Sequence, residues 1–147
     1  MTTLAFDGKT LAADTAMTYG GLKVRFTGKI RRFPSGCLAG FAGDVNSGLL
    51  LLDWLESDDP NALLDLPDSE EDSDACADAI LITPDGAISV CGNRGILIPV
   101  EGPCLAVGSG MNLAMGLMLA GKSAREAVQT CIERDPYSGF DVISFDL

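Results

Sequence analysis

The order of its apolar segments constrains this chain more than any other feature. Short runs that suit strands alternate with turn signals, and only three stretches are long enough to be helices. Thr2–Phe6 and Thr10–Ala13 flank the turn Asp7-Gly8-Lys9, Leu22–Phe26 and Ile30–Phe33 follow, and Pro34-Ser35-Gly36 leads into Cys37–Ala42. Leu38 to Gly43 is small and apolar throughout, as a strand buried on both faces requires. Asp44 can then cap a helix that runs through Leu49-Leu50-Leu51-Leu52 to Trp54 and Leu55. Ala79–Thr83 and Ala87–Cys91 form a hairpin about Pro84-Asp85-Gly86, and Ile96–Val100 and Cys104–Val107 add two strands. Ser109 to Ala120 is apolar on nearly every side, which predicts a buried helix stopped by Gly121. Ser123 with Glu126 makes a capping box for another helix to about Glu133, and Phe140–Phe145 closes the chain as a strand. Helices and strands therefore fall into blocks, which predicts α+β layers and not a βαβ parallel sheet.

A chain of 147 residues can build one real core, and no repeat or boundary divides it, so residues 1–147 are expected to be one domain. Histidine is absent, which removes Ser-His and Cys-His catalysis and His-ligated metals together. Cys37, Cys76, Cys91, Cys104 and Cys131 are scattered without a CxxC pair, so they suit a core better than a disulfide framework or a zinc site. Chemistry must then come from hydroxyl, amine, carboxylate or thiol groups, with no metal and no cofactor expected. The net charge is −11, and no Lys or Arg lies between Phe33 and Asn93, which argues against nucleic acid as a partner. No apolar run is long enough for a bilayer and no signal-like segment follows Met1, so the expectation is a cytoplasmic protein with no membrane partner. Glu56 to Asp78 holds ten acidic residues with Pro60 and Pro67, and reads as a loop or a short, poorly packed helix.

One residue has the means to be both nucleophile and base. Methionine before a small residue is commonly trimmed, which would leave Thr2 with a free α-amine. An amine with a pKa of about 7.7–8.0 can take the proton of its own residue's hydroxyl, directly or through water. A Met-Thr start is common and by itself carries little weight.

The company Thr2 keeps carries more. Thr2-Thr3-Leu4-Ala5-Phe6, Ala13-Asp14, Lys29-Ile30-Arg31-Arg32-Phe33, Ala39-Gly40-Phe41-Ala42-Gly43, Val107-Gly108-Ser109-Gly110 and Arg134-Asp135-Pro136-Tyr137-Ser138-Gly139 resemble, in order, the motifs of proteasome β subunits and HslV peptidases. The resemblance implies a four-layer αββα sandwich of the N-terminal-nucleophile hydrolase kind, and a threonine-type endopeptidase. It implies Thr2 as the nucleophile, Lys29 as the cation beside it, and Asp14 as the carboxylate that orients Lys29. It implies Gly43 as the oxyanion donor and Ser109, Asp135 and Ser138 as the groups that hold the amine and a proton-shuttling water. Phe41, just before Gly43, is the candidate wall of a substrate side-chain pocket, favouring apolar residues.

As partners, the resemblance implies a polypeptide substrate, a homo-oligomeric ring, and an AAA+ unfoldase. The acidic stretch after Leu55 stands where the family has a long helix, and so leaves ring size and that ATPase partner open. A catalytically inactive assembly subunit and a small-molecule N-terminal-nucleophile amidase stay as alternatives.

Overall fold

A computed structural model describes residues 2–59, 76–92 and 94–147. Alternation along the first two strands, β1 (Thr3–Phe6) and β2 (Thr10–Asp14), sets the layers. Leu4, Phe6, Leu11 and Ala13 point into one cluster, while Ala5 and Ala12 point into another on the opposite face. The chain continues with β3 (Ala16–Tyr19), β4 (Leu22–Arg25), β5 (Ile30–Arg32), β6 (Leu38–Gly43) and helix α1 (Val45–Ser57). Then follow β7 (Ala77–Ile82), β8 (Ile88–Cys91), β9 (Leu97–Val100), β10 (Leu105–Gly108), helices α2 (Met111–Leu119) and α3 (Ala124–Arg134), and β11 (Val142–Asp146).

Two antiparallel sheets result, ordered β10-β1-β2-β11 and β5-β6-β7-β8-β9. Between them Leu4, Phe6 and Leu11 meet Ile30, Leu38, Ile80, Ile82 and Ile88. Gly40 lets the sheets close here, because a Cβ on it would press into Leu4 and Ile30. Outside the first sheet, Ala5, Ala12 and Ala106 pack on Ala114, Met118, Ala127 and Val128 of α2 and α3. Outside the second, Ala39, Phe41, Ala77 and Ala79 pack on Leu51, Leu52 and Leu55 of α1. Large side chains fill the sheet-to-sheet layer and alanines face α2 and α3, so those helices approach closely. The architecture is α+β, a four-layer αββα sandwich.

Among the described residues, caps fall where the sequence puts them at two of three helices. Asp44 accepts the Ser47 N–H at 2.8 Å, and Ser123 and Glu126 form a reciprocal capping box. The helix after β10 departs from expectation in two ways. It starts at Met111 behind Gly110 with no side-chain cap, and only Ala114 and Met118 of it are buried. Met111, Leu113 and Leu119 are exposed, because α2 has one packing side and more apolar residues than that side can cover.

The strand Ala16–Tyr19 was not foreseen, since Thr15 to Gly21 has no apolar alternation to announce it. It pairs with β4 as a separate two-stranded hairpin. The turn between them is Gly20-Gly21 with φ of +55° and +82°, the conformation of a type I′ turn. Other strand ends shift by one or two residues. Of the acidic stretch, Glu56 and Ser57 end α1 and Ala77 and Asp78 start β7, while residues 60–75 lie outside the described residues. Among the described residues no helix is long and apolar enough to cross a membrane. Cys91, Cys104 and Cys131 are buried, as small core residues should be, whereas Cys37 and Cys76 are half-buried.

Gly48 tests the packing of α1. A Cβ there would overlap the ring of Phe41. Alanine gains about 1 kcal/mol over glycine in a helix interior, whereas overpacking a core costs about 1–3 kcal/mol. Gly48→Ala is therefore expected to lower stability by about 1 kcal/mol in urea denaturation, and Phe41→Leu in the same chain to restore part of the loss. A more stable Gly48→Ala variant would contradict this packing.

Candidate active site

Buried polar groups concentrate at one end of the β1–β2 pair: Thr2, Thr3, Asp14, Thr15, Lys29 and Ser138 are all buried. Burial without partners would be costly, and no buried side-chain nitrogen or oxygen among the described residues lacks one. Thr2 immediately precedes β1, Asp14 ends β2, and Lys29 immediately precedes β5, so both sheets contribute.

Asp14 is the hub. Its Oδ1 accepts the Thr2 hydroxyl, the Thr3 N–H at 3.0 Å and the Lys29 ammonium at 3.0 Å. Its Oδ2 accepts the Ala16 N–H at 3.1 Å and the Gly139 N–H at 2.9 Å. Lys29 Nζ also donates to Thr2 Oγ1. The Thr2 hydroxyl thus aims its proton at a carboxylate and a lone pair at an ammonium. Burial pulls the Lys29 pKa below its ordinary value of 10.5, and the charge and hydrogen bond of Asp14 only partly offset it.

A second cluster stands beside the first. Asp135, the residue after α3, accepts Ser109 Oγ at 2.5 Å and Ser138 Oγ at 2.6 Å on the same oxygen, Oδ2. Burial opposes the Asp135 charge, but the hydrogen bonds from Ser109 and Ser138 outweigh it and hold its pKa below the ordinary carboxylate value. An ionised carboxylate only accepts, so Ser109 and Ser138 each spend their single proton on it. Thr3 Oγ1, 2.7 Å from Ser138 Oγ, is then the donor of that pair. The Ser109 N–H binds the Thr2 carbonyl at 2.9 Å. The Ser109 hydroxyl thus serves Asp135, and the helix beyond it starts behind Gly110 without a side-chain cap.

Gly43, at the end of β6, has φ of +115°, and a Cβ on it would overlap the Cys76 carbonyl. It lines a cavity of about 640 Å³ together with Thr2, Lys29, Phe41 and the hairpin residues Met17 and Tyr19. Phe41 is 1% exposed, so it closes the floor of that cavity while packing mainly under α1. The structure brings all eight residues singled out in the sequence to this end of the molecule: Thr2, Asp14 and Lys29 in the first cluster, Ser109, Asp135 and Ser138 in the second, and Phe41 and Gly43 at the cavity.

Residue reading missed three participants. Thr3 joins the clusters, giving its N–H to Asp14 and its hydroxyl to Ser138. Gly108 has φ of +95°, and any side chain there would overlap the Thr2 carbonyl. Gly139 supplies an N–H to Asp14. The glycine spacing of Gly108-Ser109-Gly110 was the available sign of close backbone approach. Among the described residues no three His, Cys, Asp or Glu groups gather as metal ligands would.

Solved structures share this fold. The chain matches BPH of Thiobacillus denitrificans, determined in complex with epoxomicin, with a TM-score of 0.70 and 24% identity over 99% of this chain and 97% of that one. It matches HslV of Trypanosoma brucei with a TM-score of 0.73 and 22% identity over 99% and 98%. No protein-family model matches the chain, and no curated protein matches it.

Two measurements test the ion pair. Asp14→Asn strands a buried ammonium, which costs about 3–5 kcal/mol, and Asp14→Asn/Lys29→Met is expected to lose less than Asp14→Asn alone. Equal losses would mean that the two charges are not coupled. The lowered Lys29 pKa also sets a sign: between its folded-state pKa and 10.5 the unfolded chain binds the extra proton. Stability contributed by this group therefore rises with pH through that window. Denaturation from neutral pH to 10.5 is expected to show a rise in wild type, relative to Lys29→Met.

Proposed function

We propose that the chain is a member of the proteasome β-subunit and HslV-type N-terminal-nucleophile hydrolases, and that it cleaves peptide bonds as a threonine-type endopeptidase. One observation carries the reading. The Thr2 hydroxyl is held between the Lys29 ammonium and the Asp14 carboxylate, on the wall of a cavity that also reaches Gly43.

Removal of Met1 frees the Thr2 amine. The hydroxyl turns its proton from Asp14 to the amine, directly or through water, as Thr2 Oγ1 adds to the peptide carbonyl, and the Lys29 charge favours the developing alkoxide. The backbone N–H of Gly43 receives the oxyanion, a contribution of about a hundred- to a thousandfold in rate. Collapse of the tetrahedral adduct breaks the C–N bond, the leaving amine takes the proton, and an ester remains on Thr2. Water, deprotonated by the same amine, hydrolyses that ester. With their own protons committed to Asp135, Ser109 and Ser138 offer lone pairs to the amine N–H groups and steady it.

Phe41, Met17, Phe26 and Val45 line the cavity, so residues with apolar side chains are the preferred substrates ahead of the scissile bond. The substrate is a polypeptide in extended form. Copies of the chain form the ring, for which the exposed apolar side of α2 offers a surface. An unfolding ATPase would be the partner that feeds such a chamber.

The intact mass of the native chain is expected to lack Met1. A peptide epoxyketone, which needs a hydroxyl and a free amine together, is expected to add once per chain, at Thr2. Thr2→Ala should remove labelling and lower turnover by at least about a thousandfold. Lys29→Ala should lower turnover by about a hundredfold or more with the fold retained by circular dichroism. A retained Met1 with no labelling would instead favour an inactive assembly subunit. Labelling with hydrolysis of small amides alone would favour an amidase.

A further inference from the structure

The hairpin of β3 and β4 walls the cavity through Met17 and Tyr19, yet it pairs with neither large sheet. Its base is tied by the Phe26 N–H to the Thr15 carbonyl at 2.7 Å. Farther out, two cations on β4 reach the segment that follows α3. Arg25 pairs with Asp141, with both side chains more than half exposed. Lys23 makes a different contact: its Nζ donates to the Pro136 carbonyl at 2.9 Å and to the Ser138 carbonyl at 3.1 Å. No carboxylate pairs with Lys23 among the described residues, so its charge is directed at backbone dipoles. The stem lies over Gly139, where an added Cβ would stand 3.1 Å from Lys23 Cδ and 3.3 Å from Ala16 Cβ.

The gripped segment is the one whose placement matters. Ser138 donates to Asp135 and receives Thr3, and the next residue, Gly139, gives its N–H to Asp14 Oδ2. The Gly139 carbonyl in turn accepts the Thr15 N–H at 3.3 Å, directly after Asp14. We infer that Lys23 is a positioning residue, whose ammonium clamps the turn from Pro136 to Gly139 to the cavity wall and so fixes the Gly139 N–H that orients Asp14. Lys23 never meets the reacting atoms. It acts through two carbonyls, one N–H and a carboxylate, and it joins the wall that receives substrate to the groups that orient the nucleophile.

This inference rests on the peptidase reading for its kinetic consequence and on geometry alone for the clamp, so the experiment has two arms. Amide hydrogen exchange on the full chain reads the clamp without turnover. In Lys23→Met the Gly139 amide is expected to exchange about tenfold faster, with amides of α1 unchanged, and Lys23→Arg, which still presents donors to both carbonyls, to recover part of the protection. In the kinetic arm, with a leucine-ended fluorogenic peptide amide, Lys23→Met is expected to lower kcat by about tenfold or more with less than about threefold change in KM.

Arg25→Met loses only an exposed ion pair and is expected to match wild type in both arms. Unchanged Gly139 exchange in Lys23→Met overturns the clamp, as does an equal effect of Arg25→Met, which would mean general loosening of the hairpin. Faster exchange with an unaltered kcat overturns the positioning role. If the wild-type chain hydrolyses nothing, faster Gly139 exchange keeps the clamp and removes only the peptidase reading.

Discussion

A buried carboxylate facing a buried ammonium organises one whole end of this molecule. Each charge alone would be expelled from such a site by the cost of desolvation, and the pair persists because every oxygen of Asp14 is occupied. The partners come from far apart in the chain: Thr2 and Thr3 at its start, Lys29 before β5, and Gly139 near its end. Both sheets and the segment after α3 therefore meet, at this end of the molecule, on a single carboxylate. In the proposed reaction, reactivity at Thr2 is a by-product of the same arrangement that satisfies Asp14.

The layers beneath explain why the polar end can be so crowded. Leu, Ile and Phe fill the space between the sheets, and that layer needs no polar group to hold it. Glycines admit the close backbone approaches. Gly108 takes a left-handed conformation against the Thr2 carbonyl, and Gly43 does the same against Cys76. Either position with a side chain would push apart the elements that carry the two clusters.

Much of this was legible beforehand, for identifiable reasons. Strands with a buried face and helices with a side-chain cap announce themselves, so β1, β2, β6, α1 and α3 could be drawn from the residues. What escaped was local structure without a hydrophobic pattern. The strand Ala16–Tyr19 is mostly unburied, and hydrophobic periodicity is silent on such segments. The helix α2 misled in the opposite sense, since apolar composition marks residues that favour burial and not those that obtain it. At the site, the order of motifs found the side chains that meet there. Backbone donors such as Gly139 N–H and the bridging role of Thr3 escaped, because amides carry no residue identity and a threonine beside a threonine carries no distinguishing mark.

The Gly20-Gly21 turn has a reach beyond its two residues. In most strand pairs a buried apolar face fixes which residue opposes which, but the hairpin of β3 and β4 is largely solvated and has little such face. Its alignment, Tyr19 against Leu22 and Thr18 against Lys23, therefore depends on the length of the loop together with the Phe26–Thr15 tie at its base. Lengthening that loop by one residue would rotate alternate side chains of β4 to the far side and carry the Lys23 ammonium away from its carbonyls. A solvent-exposed loop of two glycines thus sets a length standard for a cleft that Gly20 borders without a side chain, and drift in its size would be felt at Asp14.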